Sequence, residues 1–462
     1  MIQDLLARLA RAVDQAWIPW KNIVVGFSVG IFGLENLLLW RQYGVLKRTV
    51  RPKALTAEID QETFDKSQAY GRAKAKFSFF SSVFGLVTKL AIIHYDVWPK
   101  VWSLVGTHII TPYLSGTRFS GEITHSLIFF FLFGIIDTII ELPLSYYHHF
   151  VLEEKFGFNK MTVGLWLTDK VKGQLLQIAF GVPIGAAILA IIKKTGQNFF
   201  YYLWLFTLGV SLIGVTIYPI LIVPLFNKLT PLKPGPLKES IDALAKKLNF
   251  PLSELQVIDG SKRSSHSNAY FTGLPWKKKI VIYDTLLEQS DDREVEAVLA
   301  HELGHWSMSH TTKLLAISQF HVFYVFALFS AFVNNKSMYR SFGFEREMPV
   351  LIGFMLFNEV FGPTDSIIKL FMNIITRTFE FQADNFALKL GYQAELAQAL
   401  IKLQIKNLSS MDADFYYSSY HYSHPILTER LKAIQWTGEK KAQFKKAPEK
   451  DAAADLATGR EL

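Results

Sequence analysis

The sequence predicts an α-helical polytopic membrane protein that carries a small polar α/β portion. Three observations predict it. Half of the 462 residues are hydrophobic and only 19% are charged, with a mean hydropathy of +0.20, which is too apolar for a water-soluble chain of this size. Seven segments are long and apolar enough for the roughly 20 residues that a bilayer crossing takes. Between the fifth and sixth lies a polar stretch with strand-like runs and a capped helix.

The seven segments lie near 21–40, 77–98, 125–147, 173–192, 199–225, 313–333 and 349–372. They divide the chain into 1–225 with spans one to five, a polar insertion at 226–312, spans six and seven at 313–372, tail helices at 373–439, and a Lys/Ala-rich end at 440–462 that reads as disordered. The loops 41–76 and 226–290 and the tail are rich in Lys and Arg, whereas 99–124 and 334–348 are short or poorer in charge. The positive-inside rule then puts the amino terminus in the lumen, and the insertion and carboxyl terminus in the cytosol. The two lysines of the 193–198 loop, Lys193 and Lys194, are a mild exception. The net charge of +9 belongs to these loops and to anionic headgroups, and nothing in it asks for nucleic acid. Residues 1–20 are amphipathic and lack a signal-peptide core with a cleavage site, so the first span serves as the targeting signal.

Several spans hold groups that lipid rejects: Glu35, Lys89, Asp137, Glu141, Asn358, Glu359 and Asp365. Lys89 and Asp365 fit span ends in the headgroup region. Asp137 and Glu141, one turn apart inside an apolar span, point instead to an aqueous interior.

In the insertion, Leu255–Ile258 and Lys279–Tyr283 read as short strands, with turn residues at 259–260 and 273–275 between them. A small sheet there is either a plain folding hairpin or an edge to which an extended peptide could add as a strand. Asp291 followed by Glu294 reads as a capping box that opens a helix. Val295, Val298, Leu299, Leu303 and Trp306 mark its buried face. On this helix stands His301-Glu302-Leu303-Gly304-His305. Two histidines four apart share a face and can reach one metal ion, and the adjoining glutamate can take a proton from an attacking water. The plain alternative is two surface histidines beside an ordinary glutamate.

The chain has no cysteine, so disulfides are excluded and a metal must be held by His and carboxylate, which suits a catalytic zinc. Glu380, on a helix just past span seven, is the third metal-ligating residue. Asp384, one turn on, is set to accept the other ring N–H of His301 or His305. Taken alone, these two acids could equally be a solvated helix face. Because the HELGH helix precedes span six and Glu380 follows span seven, the transmembrane hairpin returns both to one side.

HELGH at 301–305, FEFQAD at 379–384, NAYFTG at 268–273 and SHPILTER at 423–430 together resemble the type I CAAX prenyl proteases, with the bacterial HtpX proteases as more distant cousins. Asn385 departs from the small residue expected there. The resemblance implies a barrel of seven helices around a large water-filled chamber, with a cytosolic metalloprotease portion of gluzincin type and one zinc ion per chain held by His301, His305 and Glu380. It further implies an endopeptidase of the endoplasmic reticulum and inner nuclear membrane; the chain itself is expected to function as a monomer. Such an enzyme removes the last three residues of a prenylated C-terminal CAAX sequence and, in yeasts, makes a second cut in a mating-pheromone precursor. Glu302 would be the general base, with His424 and Arg430 as donors to the oxyanion. Asn268 and Tyr270 would bind the substrate near the sheet edge. His266 and His310 receive no role, and His421 is unassigned.

Two other readings compete. An HtpX-type quality-control protease would share every catalytic residue and differ only in substrate. A seven-helix receptor or transporter would make HELGH incidental and leave Glu302 and Glu380 dispensable.

Overall fold

The computed structural model describes residues 2–274 and 276–437; the proposed disordered end at 440–462 lies outside them. The amino-terminal half is helical. An amphipathic helix α1 (Ile2–Val13) is followed by α2 (Trp20–Leu46), α3 (Gln61–His94), α4 (Val97–Val105), α5 (Glu122–Tyr147), α6 (Val163–Thr195), α7 (Phe199–Ile217) and the short α8 (Val223–Phe226). The polar portion holds β1 (Leu229–Pro231), α9 (Pro236–Lys247), β2 (Leu252–Ile258), β3 (Ala269–Leu274), β4 (Lys277–Tyr283), α10 (Asp284–Gln289) and α11 (Asp292–Ser307). Then come α12 (His310–Phe332), α13 (Lys336–Ser341), α14 (Val350–Lys389), α15 (Gln393–Lys406), α16 (Phe415–His421) and α17 (Leu427–Ala433).

Helices cover all seven predicted segments. By length and composition, the stretches Trp20–Leu46, Gln61–His94, Glu122–Glu153, Val163–Phe226 and His310–Phe332 can cross a membrane, the fourth being the hairpin of α6 and α7. The long α14 is not among them, because Asn358, Glu359 and Asp365 interrupt its apolar run. Glu359 is paired with Lys89, and Asp365 lies 3.8 Å from the His321 ring. Lys369, also on α14, reaches Glu35 at 3.8 Å. Lys89 therefore joins two helices. Asp137 and Glu141 are exposed on α5.

Residues 99–114, expected to be part of a loop, are helical, α4 running on into a π-helical segment at Gly106–Leu114. Trp98, Trp102 and Val105 recur at helical spacing and bury against α5, α12 and α14; Pro99 and Pro112 masked that periodicity.

The sheet has the order β1-β2-β4-β3, with β2 and β4 parallel and both outer strands antiparallel to their neighbours. The segment expected to lie between two strands thus forms the edge strand β3, paired from Ala269 opposite Ile282 to Leu274 opposite Lys277. Side chains alternate across it as the pleat requires. Ala269 and Phe271 join the core of α9, α11, α15 and α17, and Tyr270 packs on the other face with Val223, Ile258 and Val281.

Candidate metal centre

Helix α11 starts where the sequence stops the preceding chain. The Asp291 carboxylate accepts from the Glu294 amide at 3.0 Å, and the Glu294 carboxylate accepts from the Asp291 amide at 3.0 Å, closing a capping box. Val295, Leu299 and Leu303 are almost fully buried on the core side. Buried Glu294 and Glu296 tie the helix to α15, through Lys402 at 2.6 Å and the Tyr392 hydroxyl at 2.6 Å.

Helix α14 lies across α11, and Gly304 sets how closely: a Cβ there would sit 3.2 Å from the Ala383 Cα and 3.1 Å from the Phe386 Cβ. This close approach carries Glu380 to the two histidines. His301 Nε2 and His305 Nε2 are 3.2 Å apart; Glu380 Oε2 lies 3.5 Å from the first and Oε1 3.3 Å from the second. Glu380 is buried, and its Oε2 has no hydrogen-bond partner among the described residues. A buried, orphaned carboxylate oxygen facing two imidazole nitrogens fits a shared cation, and a two-His, one-Glu set with room for a further ligand is that of a catalytic zinc.

Each histidine is held through its other nitrogen. His301 Nδ1 lies 2.9 Å from Asp384 Oδ1, and Asp384 is gripped by Arg430, whose Nε donates at 2.8 Å and whose Nη2 donates to the second oxygen. Burial works against charge on Asp384, yet Arg430 holds its carboxyl below the usual carboxylate range. Burial would also lower His301, but the neighbouring carboxylates of Asp384 and Glu380 outweigh that and push it above the usual imidazole range, so that positive charge, a proton or a metal ion, is favoured at its Nε2. His305 Nδ1 sits 3.0 Å from His310 Nδ1, and His310 Nε2 lies 2.9 Å from Gln382 Oε1. With Gln382 accepting from His310, His310 Nδ1 accepts from His305 Nδ1–H. The Nε2 lone pairs of both His301 and His305 are then directed into the cluster.

His310 went unassigned in the sequence, and the structure gives it a function. Ser309 adopts the left-handed region at φ 56°, which breaks α11 from α12 and returns the His310 ring beneath His305, stacked on Phe379 at 4.1 Å. No helical spacing announces such a turn.

Glu302 adjoins the cluster. Burial pushes its carboxyl above the usual range, against the pull of His301 and His305. His424 Nε2 comes within 3.3 Å of Glu380 Oε1. The Arg430 guanidinium is committed to Asp384, with Nη1 3.7 Å from Glu380 Oε2. His301, Glu302, His305, Glu380, Asp384, His424 and Arg430 are thus brought together. Asn268 is exposed at the start of β3, its side-chain oxygen accepting from the Ala269 amide at 2.8 Å. Tyr270, expected to bind substrate, is instead turned to the sheet face away from α11, against Val223, Ile258 and Val281. His266 stands elsewhere, stacked on Phe158 and 3.7 Å from Glu153.

Comparison with known proteins bears on the whole chain. Residues 42–228 match the family model described as CAAX prenyl protease N-terminal, five membrane helices, and residues 231–437 match that of peptidase family M48. The chain belongs to the CAAX prenyl protease family of M48 peptidases. It is 47% identical to CAAX prenyl protease 1 of Saccharomyces cerevisiae, over 94% of this chain and 99% of that one. The human CAAX prenyl protease 1 homolog is 39% identical, over 92% and 98% respectively. The crystal structure of S. mikatae Ste24p superposes with a TM-score of 0.86 at 48% identity, covering 91% of this chain and 100% of that one. The protein is therefore a multi-pass membrane metalloprotease that uses a metal cofactor, and the receptor or transporter reading falls.

Proposed function

We propose that this protein is a zinc endopeptidase that removes the last three residues from prenylated CAAX proteins and makes a second, upstream cut in a mating-pheromone precursor. The observation that carries this is the His301, His305 and Glu380 cluster with Glu302 beside it, in a chain similar along nearly its whole length to proteins named CAAX prenyl protease 1. In this reading α14 is a seventh span, the seven helices enclose an aqueous chamber, and the polar segments 226–312 and 373–439 together form the catalytic unit. That unit faces the cytosol from the endoplasmic reticulum and inner nuclear membrane, and the protein acts as a monomer.

His301, His305 and Glu380 would hold the zinc ion, which when bound polarises a carbonyl and makes the attacking water more acidic. Glu302 accepts the proton of that water and returns it to the leaving amine. Its raised pKa suits a base that must also let the proton go. His424 donates to the developing oxyanion. Arg430, held by Asp384, acts mainly by fixing Asp384 and through it the ring of His301. Asn268 meets the substrate backbone at the free edge of β3, where an extended peptide can add as a strand; Tyr270 stiffens that strand from its opposite face.

The test compares a farnesylated CAAX peptide with the same peptide unprenylated and with an unfolded membrane protein. Tripeptide release from the prenylated peptide alone is expected. Equal cleavage of all three would overturn the substrate assignment in favour of quality control.

A further inference from the structure

A cavity of about 680 Å³ lies away from the metal cluster, at the base of the α6–α7 hairpin where α8 leads into the sheet. Its polar wall carries Lys172, Lys228, Lys262, Arg263 and Lys279, against the single acid Asp259. Two of these cations are already paired. Lys279 reaches Glu254 at 2.9 Å, and Arg263 grips Asp169 at 2.9 and 3.1 Å. Asp259 spends an oxygen on the Lys228 amide at 2.7 Å and the Asn227 amide group at 3.3 Å.

Lys172, Lys228 and Lys262 have no ion-pair partner among the described residues. Lys172 donates one hydrogen to the Leu225 carbonyl at 2.7 Å, which leaves two of its three donors for something else. Arg263 Nη1 is buried with no hydrogen-bond partner among the described residues. The wall is thus short of negative charge and of acceptors.

Apolar residues complete the lining, among them Ile220, Pro224, Leu225 and Phe226, with the Lys172 ammonium beside them at 5.7 Å from the Phe226 ring. This apolar lining continues into exposed apolar side chains on and just after α7, including Leu212, Ile213, Val215 and Tyr218. Lys172 also stands at the point where α6 turns apolar, from Gly173 onward. Cations at one end and an apolar track running along a membrane-spanning hairpin match an amphiphile whose head is an anion.

We propose that this cavity binds the phosphodiester headgroup of an anionic glycerophospholipid, whose acyl chains lie along the exposed apolar surface of α7 and the segment after it. A free phosphate would use the cations and none of the apolar wall. The site is separate from the peptidase cluster and independent of its chemistry. Its effect is to anchor the catalytic sheet to the membrane at β1 and β2.

Delipidated full-length protein in neutral detergent, titrated with phosphatidylglycerol or phosphatidylcholine and read by native mass spectrometry, tests this. Phosphatidylglycerol is expected to bind and phosphatidylcholine to bind far more weakly. Lys228→Gln/Lys262→Gln, which changes two exposed side chains, should weaken phosphatidylglycerol roughly thirtyfold, each lysine contributing about fivefold near an anionic surface. Lys246→Gln/Lys247→Gln on α9 removes the same charge outside the cavity and should leave binding unchanged. Excess inorganic phosphate should not displace the lipid. Equal binding of both lipids, an unaffected cavity variant, an equal loss in the α9 variant, or displacement by phosphate would each overturn the proposal.

Discussion

Glu302 must be ionised to accept a proton, and its burial raises the pH at which that happens. As pH falls through the raised pKa, Glu302 protonates and kcat/KM declines. An acid limb in the pH–rate profile is therefore expected to belong to Glu302, and the same limb persisting unchanged in the residual activity of Glu302→Gln would remove Glu302 from the role. His310 acts at the same scale, through His305 alone. His310→Ala should weaken metal binding about 10- to 100-fold, as loss of such an orienting partner does, measured by competition with a chelator; His310→Gln should recover part of it. Among residues, the metal-facing set was readable because its members are local: His301 and His305 share one helix face, and Glu380 and Asp384 another. Arg430's grip on Asp384 spans 46 positions and His310's return depends on the backbone of Ser309, so neither leaves a periodic mark.

At the scale of elements, the crossing of α11 and α14 is what assembles the site. Gly304 stands at their contact, with Ala383 backbone facing it. Gly304→Ala must push the helices apart, because a Cα cannot step aside as a side chain can. Metal affinity is expected to fall by about tenfold or more while the helical content in circular dichroism stays unchanged; undiminished affinity would mean that Glu380 can follow α11 freely. The capping box made the start of α11 legible to the residue. Strand β3 was not legible, because Asn268 before it and Gly273 within it, at φ 101°, are turn residues by type. Its strand character comes from pairing with β4, a tertiary override of local propensity. The helix at 97–105 was hidden for a different reason: Pro99 reads as a breaker by type, but in the first turn of α4 its missing N–H would have had no intrahelical partner.

For the whole molecule, hydropathy foretold the long helices, and the ion pairs between α3 and α14 and between α2 and α14 explain how charges survive inside them. The packing of α1 against α12 could not be read from an isolated amphipathic stretch. Metal binding joins α11 to α14, and so links the two polar segments on either side of α12. Chelation should therefore lower the thermal transition of the polar portion, by the equivalent of about 2.7 kcal/mol where free metal stood at a hundred times its Kd. Transition temperatures with and without chelator check this, and no shift would mean that the cluster holds no metal in the folded protein.

The central claim is that Glu302 is the base of a metal peptidase whose metal is held by other residues. The most direct measurement is tripeptide release from a farnesylated CAAX peptide by purified native protein and by Glu302→Gln, with the metal content of both samples determined. Native protein is expected to carry about one zinc per chain and to cleave, and Glu302→Gln to keep its zinc while losing about 10²- to 10⁴-fold in rate. Full activity in a zinc-loaded Glu302→Gln would contradict the claim.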